Sequence, residues 1–532
     1  MSVTNVKWTL LMSLTALRVT LWGFTRLLSL SLLYSALWGC ASAPDRFHVQ
    51  KQFSKPTPKV GPLVTAEKAL RLQGGGQAGE TGVHLLSEGT QAFASRLALI
   101  ANAVDTLDVQ YYLFHRDDTG TILAWALWRA AERGVRVRLL LDDMEKRPHD
   151  FPLTYLDAHP NIDVRMYNPF FWRGGRAWQM ATDFGRLNHR MHNKSLTADN
   201  IATIVGGRNV GDEYFAANQD VNFGDMDALL FGPAVGEVSR QFDEYWNSDL
   251  VYPLELLNTK ANRSSDELRA GDSVDVAFSH LESSIYSDAL VATKIDEKIK
   301  NGTLPMAWAS VQVWSDTPNL TAMKAKDTGD GLVINRLLNM FDTADSELYL
   351  ISPYFVPRDK GAELLTRKAE EGVSVTVITN ALAATDVVAV HSGYAKKRDD
   401  LLQAGVNVYE VKARPNVDPK AWSISSSSSL HAKTFVIDKR WVFVGSFNLD
   451  PRSAWLNSEM GVLIDSPELA QRVLQGVDSL LQNIAYQVTW QDDDIVWRDT
   501  YSGETYDSEP DASWWRRAMA SVLKLMPVES QL

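Results

Sequence analysis

The sequence predicts an α/β protein built by duplication: two parallel-rich mixed sheets flanked by helices, related by a pseudo-two-fold with one site between the halves. Three observations predict it. The stretch Leu430-His431-Ala432-Lys433-Thr434-Phe435-Val436-Ile437-Asp438, trailed by Gly445-Ser446-Phe447-Asn448, has a partner in Met191-His192-Asn193-Lys194-Ser195-Leu196-Thr197-Ala198-Asp199, trailed by Gly206-Gly207-Arg208-Asn209. The matching His, Lys, Asp, Gly and Asn positions all lie 239 residues apart, as 431 less 192 and 448 less 209 show. Upstream of each motif strand-like and helix-like segments alternate, and Arg129-Ala130-Ala131-Glu132-Arg133-Gly134-Val135 is echoed by Arg367-Lys368-Ala369-Glu370-Glu371-Gly372-Val373 at an offset of 238.

Taken in order, residues 1–39 hold Lys7, Arg18 and Arg26 and then an apolar run over 27–38, too short for a comfortable membrane span. The run ends in Leu37-Trp38-Gly39-Cys40-Ala41, which resembles a bacterial lipoprotein signal with Cys40 as the acylation site; an uncleaved anchor is the alternative. Either reading places the body of the protein in the bacterial cell envelope, against a membrane and facing the periplasm. Cys40 is the sole cysteine, so neither an intrachain disulfide nor a cysteine-based metal site is available. Residues 40–82 are polar and broken by Pro44, Pro56, Pro58, Pro62 and Gly74-Gly75-Gly76, and read as a tether.

The first folded half is expected over 83–254, with a helix over 90–104, a strand over 107–114, a helix over 121–133 and a strand over 135–141. The second is expected over 341–487, opening on Leu348-Tyr349-Leu350-Ile351-Ser352-Pro353-Tyr354-Phe355. Between them 255–340 shows little periodicity and no clear counterpart, and reads as an inter-repeat segment. In the tail, 488–532, Trp514, Trp515, Met519, Val522 and Met526 share a helical stripe beside Arg516, Arg517 and Lys524. Such a stripe suits either the protein's own body or an interface with anionic lipid. The serine run Ser425–Ser429 before His431 reads as a loop over the site or a plain linker.

The residue types explain the chemistry. The β-branched and aromatic runs 434–437 and 441–444 flank Asp438-Lys439-Arg440, so each motif reads as a strand, a tight turn and a returning strand. His and Lys two positions apart face the same way. A neutral imidazole serves as nucleophile or base, an imidazolium as acid, and the ammonium holds a phosphate oxygen. Asn209 and Asn448 can donate amide N–H to the same phosphate. Asp199 and Asp438, at the turn, suit fixing the local backbone more than touching substrate. With 45% hydrophobic and 22% charged residues the 532-residue chain can bury a large core. Its net charge of −12 argues against a nucleic-acid partner.

The paired motifs resemble the HxKxxxxD signatures, with trailing G(G/S)xN, of the phospholipase D superfamily, and their wording is similar in particular to the cardiolipin synthase C-type branch. The resemblance implies a signature set of His192, Lys194, Asp199, Asn209, His431, Lys433, Asp438 and Asn448, with Lys194, Lys433, Asn209, Asn448 and Ser446 on the substrate. It further implies that His192 is the nucleophile, forming a phosphohistidine, and His431 the acid/base. An acid is expected behind each imidazole: Glu459 behind His431, and Asp225 or Asp227 behind His192. No cofactor or metal is expected. The implied reaction is phosphatidyl transfer to phosphatidylglycerol from phosphatidylethanolamine at a membrane surface, in some members with a helper protein. A hydrolytic phospholipase D, a secreted nuclease and a catalytically dead scaffold lipoprotein are the alternatives. Aromatic pairs such as Tyr111-Tyr112, Phe170-Phe171-Trp172 and Tyr354-Phe355 are expected as core or as lips of a lipid site.

Overall fold

The computed structural model describes residues 43–145, 151–215, 222–257, 294–318, 332–414 and 428–526. Cys40, the apolar run before it and Ser425 to Ser427 lie outside the described residues. The chain divides into two compact units. One combines residues up to His48 with Phe170–Leu187, and in it the Arg176 guanidinium sits 4.1 Å from the Phe170 ring centre while the Trp172 N–H donates to Gln179 Oε1 at 2.9 Å. The other comprises Val49–Pro169 with Asn188–Leu532.

Its first half contains β1 (Thr81–Leu86), β2 (Thr106–Tyr111), β3 (Arg136–Asp142), β4 (Ile162–Tyr167), β5 (Ser195–Ala198), β6 (Ala202–Gly206), β7 (Asn222–Gly224), β8 (Asp227–Phe231) and β9 (Val251–Pro253). The second contains β10 (Ala307–Ser315), β11 (Glu347–Ile351), β12 (Ser374–Asn380), β13 (Asn407–Val411), β14 (Ser428–Leu430), β15 (Thr434–Ile437), β16 (Trp441–Gly445), β17 (Met460–Asp465), β18 (Ala485–Gln491), β19 (Asp494–Asp499) and β20 (Thr505–Tyr506). In the first half the hydrogen-bonded order is β9-β4-β3-β2-β5-β6-β8-β1. In the second it is β18-β13-β12-β11-β15-β16-β17-β10, the same order with each strand replaced by its copy. β2-β3-β4 and β11-β12-β13 are the parallel triplets, and the helices Asp118–Glu132 and Arg358–Glu370 supply the crossovers from β2 to β3 and from β11 to β12. β1 and β10 then pair antiparallel, Gly82 opposite Trp308, and fuse the halves into one sheet order.

Three parts of the expected layout change. The segment 255–340 is not a bare connection: β10 and the helix Val333–Asp342 are the second-half copies of β1 and the helix Gly89–Asn102. Their periods are present, Val311 and Val313 alternating with Ser310 and Gln312, and Val333, Ile334, Leu337 and Phe341 at helical spacing, but neither segment repeats the wording of its first-half copy. In the tail, β18 to β20 extend the second sheet. The tether contains the helix Pro62–Gly74, and its Gln52 and Ser54 N–H groups donate to Asn247 and Asp243 at 2.9 Å, so it lies against the body instead of swinging free.

A shared core joins the halves: Val83, Val205, Leu230 and Val238 pack in one cluster with Val444, Val462, Ile464 and Val477. The helices Pro233–Trp246 and Pro467–Ile484, each opened by a proline at its first position, supply facing residues to it. Each motif hairpin turns on two residues with positive φ, Asp199-Asn200 and Asp438-Lys439, all at 53° or 54°. That geometry is what a two-residue turn with right-handed strand twist requires. The aspartate side chains then bind backbone. Asp199 accepts the N–H groups of Val104, Asp105 and Thr106, and Asp438 those of Asp345, Ser346 and Glu347. Both therefore cap the entry to the strand beside the motif, β2 or β11, and their carboxylates are spent there and not on a substrate. Of the signature set, Asp199 and Asp438 therefore stand outside the catalytic group.

Removing the Asp199 carboxylate strands three N–H groups at a buried turn. Asp199→Ala is therefore expected to lower stability by about 2–4 kcal/mol. Asp438→Ala, at a more exposed turn, should cost less. Thermal unfolding of the two variants checks both statements, and equal or negligible shifts would contradict the capping role.

Candidate active site

Each motif histidine sits just before its strand, β5 or β15, where backbone bonds to the opposite half hold it. The His192 N–H donates to Ser458 O, and the Ser458 N–H to Arg190 O, both at 2.8 Å. On the other side the His431 and Ala432 N–H groups donate to Gly224 O at 2.8 and 3.0 Å. Ser458 and Gly224 directly precede Glu459 and Asp225. The backbone bridge thus delivers each acid to the histidine of the other half.

The side chains follow. His192 Nδ1 lies 2.9 and 3.0 Å from the two oxygens of Glu459, and His431 Nδ1 lies 2.6 Å from Asp225 Oδ2. This reverses the pairing expected from the sequence, which gave Glu459 to His431 and Asp225 or Asp227 to His192. The reason is the pseudo-two-fold: nearness along the chain puts an acid in the right half, but the strand bearing it faces across the dyad. Asp227 serves neither histidine; it accepts from Arg96 and Arg208 at 2.9 and 3.1 Å in a buried cluster. In both pairs Nδ1 faces the carboxylate, which fixes the tautomer and leaves Nε2 for chemistry.

The two pairs are not equal. Ser446 Oγ donates to Glu459 at 2.5 Å. The counterpart of Ser446 is Gly207, where a Cβ would come within 2.2 Å of Asp225 Oδ1, so the shorter acid fits only against glycine. Ser446 thus serves the acid of His192, a positioning contact in place of the expected substrate contact. Burial pushes Glu459 up to about 7. Burial, with Lys194 and Lys433 beside it, drives His192 well below the ordinary histidine range. Against the pull of burial, His431 and Lys433 hold Asp225 below the usual carboxylate range. His431 is also lowered, by burial and Lys433, but Asp225 works in the opposite direction there. Both imidazoles are thus pushed toward the neutral form, His192 the further of the two, while the ionised Asp225 opposes the shift at His431.

Lys194 Nζ donates to His192 O at 2.6 Å, and Lys433 Nζ donates to His431 O, so each ammonium folds back beside its own imidazole. Burial lowers Lys194 to about 7 and Lys433 to about 8. Asn209 donates from Nδ2 to Tyr214 OH at 3.0 Å. The Asn448 Oδ1 is buried without a partner among the described residues. Tyr112 and Tyr214 pack edge-on against His192 and His431, with ring centroids 5.0 and 5.2 Å apart. Of the expected aromatic lips, Tyr111 and Phe355 are core, and the Tyr354 hydroxyl donates to Asp386.

Two positioning residues escaped the sequence reading. Asp142, at the end of β3, takes the Met191 N–H at 2.9 Å and pairs with buried Arg190 at 2.7 Å. Asn380, at the end of β12, exchanges two 3.0 Å hydrogen bonds with the backbone of Leu430. Their signal was present: following the Arg129/Arg367 echo a further turn of strand aligns Asp142 with Asn380.

Comparison with known proteins gives this arrangement a context. The family model described as "Cardiolipin synthase, PLD-like domain" matches residues 97–246 and 337–481, one segment in each half. The chain is 41% identical over 470 residues to cardiolipin synthase C of Escherichia coli strain K12, covering 85% of this chain and 96% of that one. It is 26% identical over 415 residues to a cardiolipin synthase of Listeria monocytogenes, with 76% and 70% covered. Among solved structures, the phosphatidylserine synthase of Haemophilus influenzae aligns with a TM-score of 0.54 at 14% identity over 88% of this chain and all of that one, a likeness of fold.

The crossed pairing makes an assignment that NMR can read. In Glu459→Gln the imidazole nitrogen resonances and titration of His192 should move while those of His431 stay; Asp225→Asn should do the reverse. The opposite pattern would restore the within-half pairing.

Proposed function

The chain belongs to the phospholipase D-like cardiolipin synthase family, and from that premise we propose that it moves a phosphatidyl group from a donor phospholipid, phosphatidylethanolamine, onto phosphatidylglycerol to make cardiolipin. The observation that carries the mechanism is the pair of imidazoles held by crossed carboxylates beside two buried lysines.

His192 Nε2 attacks phosphorus, and the bond from phosphorus to the headgroup oxygen breaks. His431 gives its Nε2 proton to that oxygen, so the headgroup leaves as the alcohol ethanolamine with its ammonium untouched, and a phosphohistidine remains. His431, now neutral, takes the hydroxyl proton of phosphatidylglycerol; the resulting oxygen attacks phosphorus and the P–N bond breaks, returning neutral His192. Lys194, Lys433 and the Asn209 and Asn448 amides hold the non-bridging oxygens through both displacements. The lower proton affinity of His192 and the ionised Asp225 behind His431 support this division of labour over its reverse.

Access to lipid fits the C-terminal helix Trp514–Lys524. Arg516 ties it down through Leu382 O and Thr385 O, and Leu523 and Ala520 pack on Leu382 and Val388. Its other side leaves Trp514 74%, Trp515 63% and Val522 60% exposed, an aromatic face of the kind that sits in a bilayer interface. Thr385 adjoins Asp386, which binds Tyr354 and acts electrostatically on Lys433, so the docked side of the helix lies toward the site. No helix among the described residues is long and apolar enough to cross a membrane. Acylation of Cys40 would tether the body to the envelope membrane, with any helper protein acting there.

Purified protein in vesicles of phosphatidylethanolamine and phosphatidylglycerol should form cardiolipin, and His192→Ala or His431→Ala should abolish it. Phosphatidic acid as the sole product would make the protein a hydrolase. Since a lysine lowered to about 7 or 8 carries its charge only below that pH, kcat/KM should fall as pH rises through about 7–8. A flat profile to pH 9 would contradict the lysine role. Trp514→Ser with Trp515→Ser should raise the KM for vesicle lipid and leave turnover of a soluble phosphodiester unchanged; loss of both would point to a structural role.

A further inference from the structure

The duplication supplies its own control. In the first half the space between the helices Gly89–Asn102 and Asp118–Glu132 and the chain beyond Asn209 is filled. Phe93 and Phe215 pack with ring centroids 5.1 Å apart, and the Arg96 guanidinium lies 5.0 Å from the Phe215 ring. Asp212 then ties the chain to the second helix: its carboxylate accepts the Thr119 N–H and hydroxyl at 2.8 and 2.7 Å, and its N–H donates to Asp117 at 2.7 Å.

None of these contacts survives in the second half. The pairings Leu107–Ala198 and Leu348–Ile437, with the bridges Phe114–Val210 and Phe355–Leu449, fix which residues correspond. In that register Ile334 stands for Phe93, Ala454 for Phe215 and Leu337 for Arg96. Arg358 stands for Asp117, Lys360 for Thr119, and Pro451 for Asp212. Ring-to-small exchange empties the space, and the hydrogen bonds that closed its edge are lost, since Pro451 has neither the carboxylate nor the N–H of Asp212 and Arg358 lacks the carboxylate of Asp117. What remains is a cavity of about 700 Å³. That is within the ~300–1,000 Å³ span of small-molecule sites. Leu338, Phe341, Phe355, Leu364, Leu449 and Trp455 give it an apolar wall, while Arg358 and Lys360 are exposed where they line it.

Its place matters as much as its size. Leu449 and Asp450 line the cavity and directly follow Asn448, and buried Asp450 acts electrostatically on Lys433. The cavity therefore opens beside the second-half motif, next to Asn448 and Lys433.

We propose that this cavity holds an acyl chain of the acceptor phospholipid, with Arg358 and Lys360 facing that lipid's own phosphate. The proposal rests on the reading above, in which His192 carries the phosphatidyl group and His431 handles the leaving and entering alcohols. An acceptor must approach phosphorus from the side of the base that takes its proton, so its tails lie on the His431 side. Water has no tail to hold; an apolar cavity there favours transfer over hydrolysis by raising the occupancy of a lipid alcohol.

Ala454→Phe reinstates the ring that fills the first half, and Leu338→Trp fills the cavity from a half-buried position that tolerates the change should the first variant unfold. Each is assayed in phosphatidylethanolamine vesicles with phosphatidylglycerol, or with glycerol as a tail-less acceptor, following cardiolipin, phosphatidic acid and newly made phosphatidylglycerol. The ratio of cardiolipin to phosphatidic acid should fall by roughly tenfold or more. Transfer to glycerol and single-turnover consumption of donor should stay unchanged. A parallel fall in donor consumption and every product would assign the cavity to the donor's chain and overturn the proposal, as would an unchanged ratio in both variants. Wild-type protein that makes no cardiolipin would remove the parent reading, and is seen before any variant is tested.

Discussion

The structure depends on a short backbone bridge made twice: His192 N–H to Ser458 O on one side of the dyad, and His431 N–H to Gly224 O on the other. Each bridge fixes the position of a histidine and, one residue along the opposite strand, the position of its acid. Neither half can assemble a competent imidazole–carboxylate pair alone. The shared apolar cluster around Val205, Val444 and Val462 and the β1–β10 pairing keep the two halves from shifting relative to each other, which matters because a carboxylate displaced by an ångström no longer orients its ring. Core packing and catalytic geometry are in this sense one constraint.

Within that frame the duplication has drifted toward asymmetry where chemistry calls for it. Two equal histidines would compete for one proton; here they do not. Glu459 is longer, receives Ser446 and is raised toward neutrality, whereas Asp225 is short, sits against Gly207 and stays ionised. Burial among cations lowers both imidazoles, and the ionised carboxylate offsets that effect on the His431 side. The divergence continues outward. The first half spends buried arginines, Arg96 and Arg208, on Asp227, and closes its helix contacts with aromatic rings, while the second half has apolar or small residues at the matching places and an open cavity beside its motif.

The sequence determined a good deal unaided. A constant spacing across two His-x-Lys motifs marks a duplication, and the paired motifs resemble those of the phospholipase D superfamily, so the fold and the motif hairpins were legible. The turn role of Asp199 and Asp438 was also legible, since an aspartate at a two-residue turn has backbone N–H groups within reach whatever the remaining fold does. β10 was not recognised as a copy of β1, because Ala307-Trp308-Ala309-Ser310-Val311 shares no wording with Thr81-Gly82-Val83-His84-Leu85, although its own alternation is that of a strand. The pairing of acids with histidines was decided only in the tertiary structure: it depends on which strand faces the dyad, a relation between residues 206 and 267 positions apart that no local pattern encodes. The cavity belongs to the same class, since Ile334, Ala454 and Pro451 look ordinary in the chain and acquire meaning only when packing sets them where the other half keeps Phe93, Phe215 and Asp212.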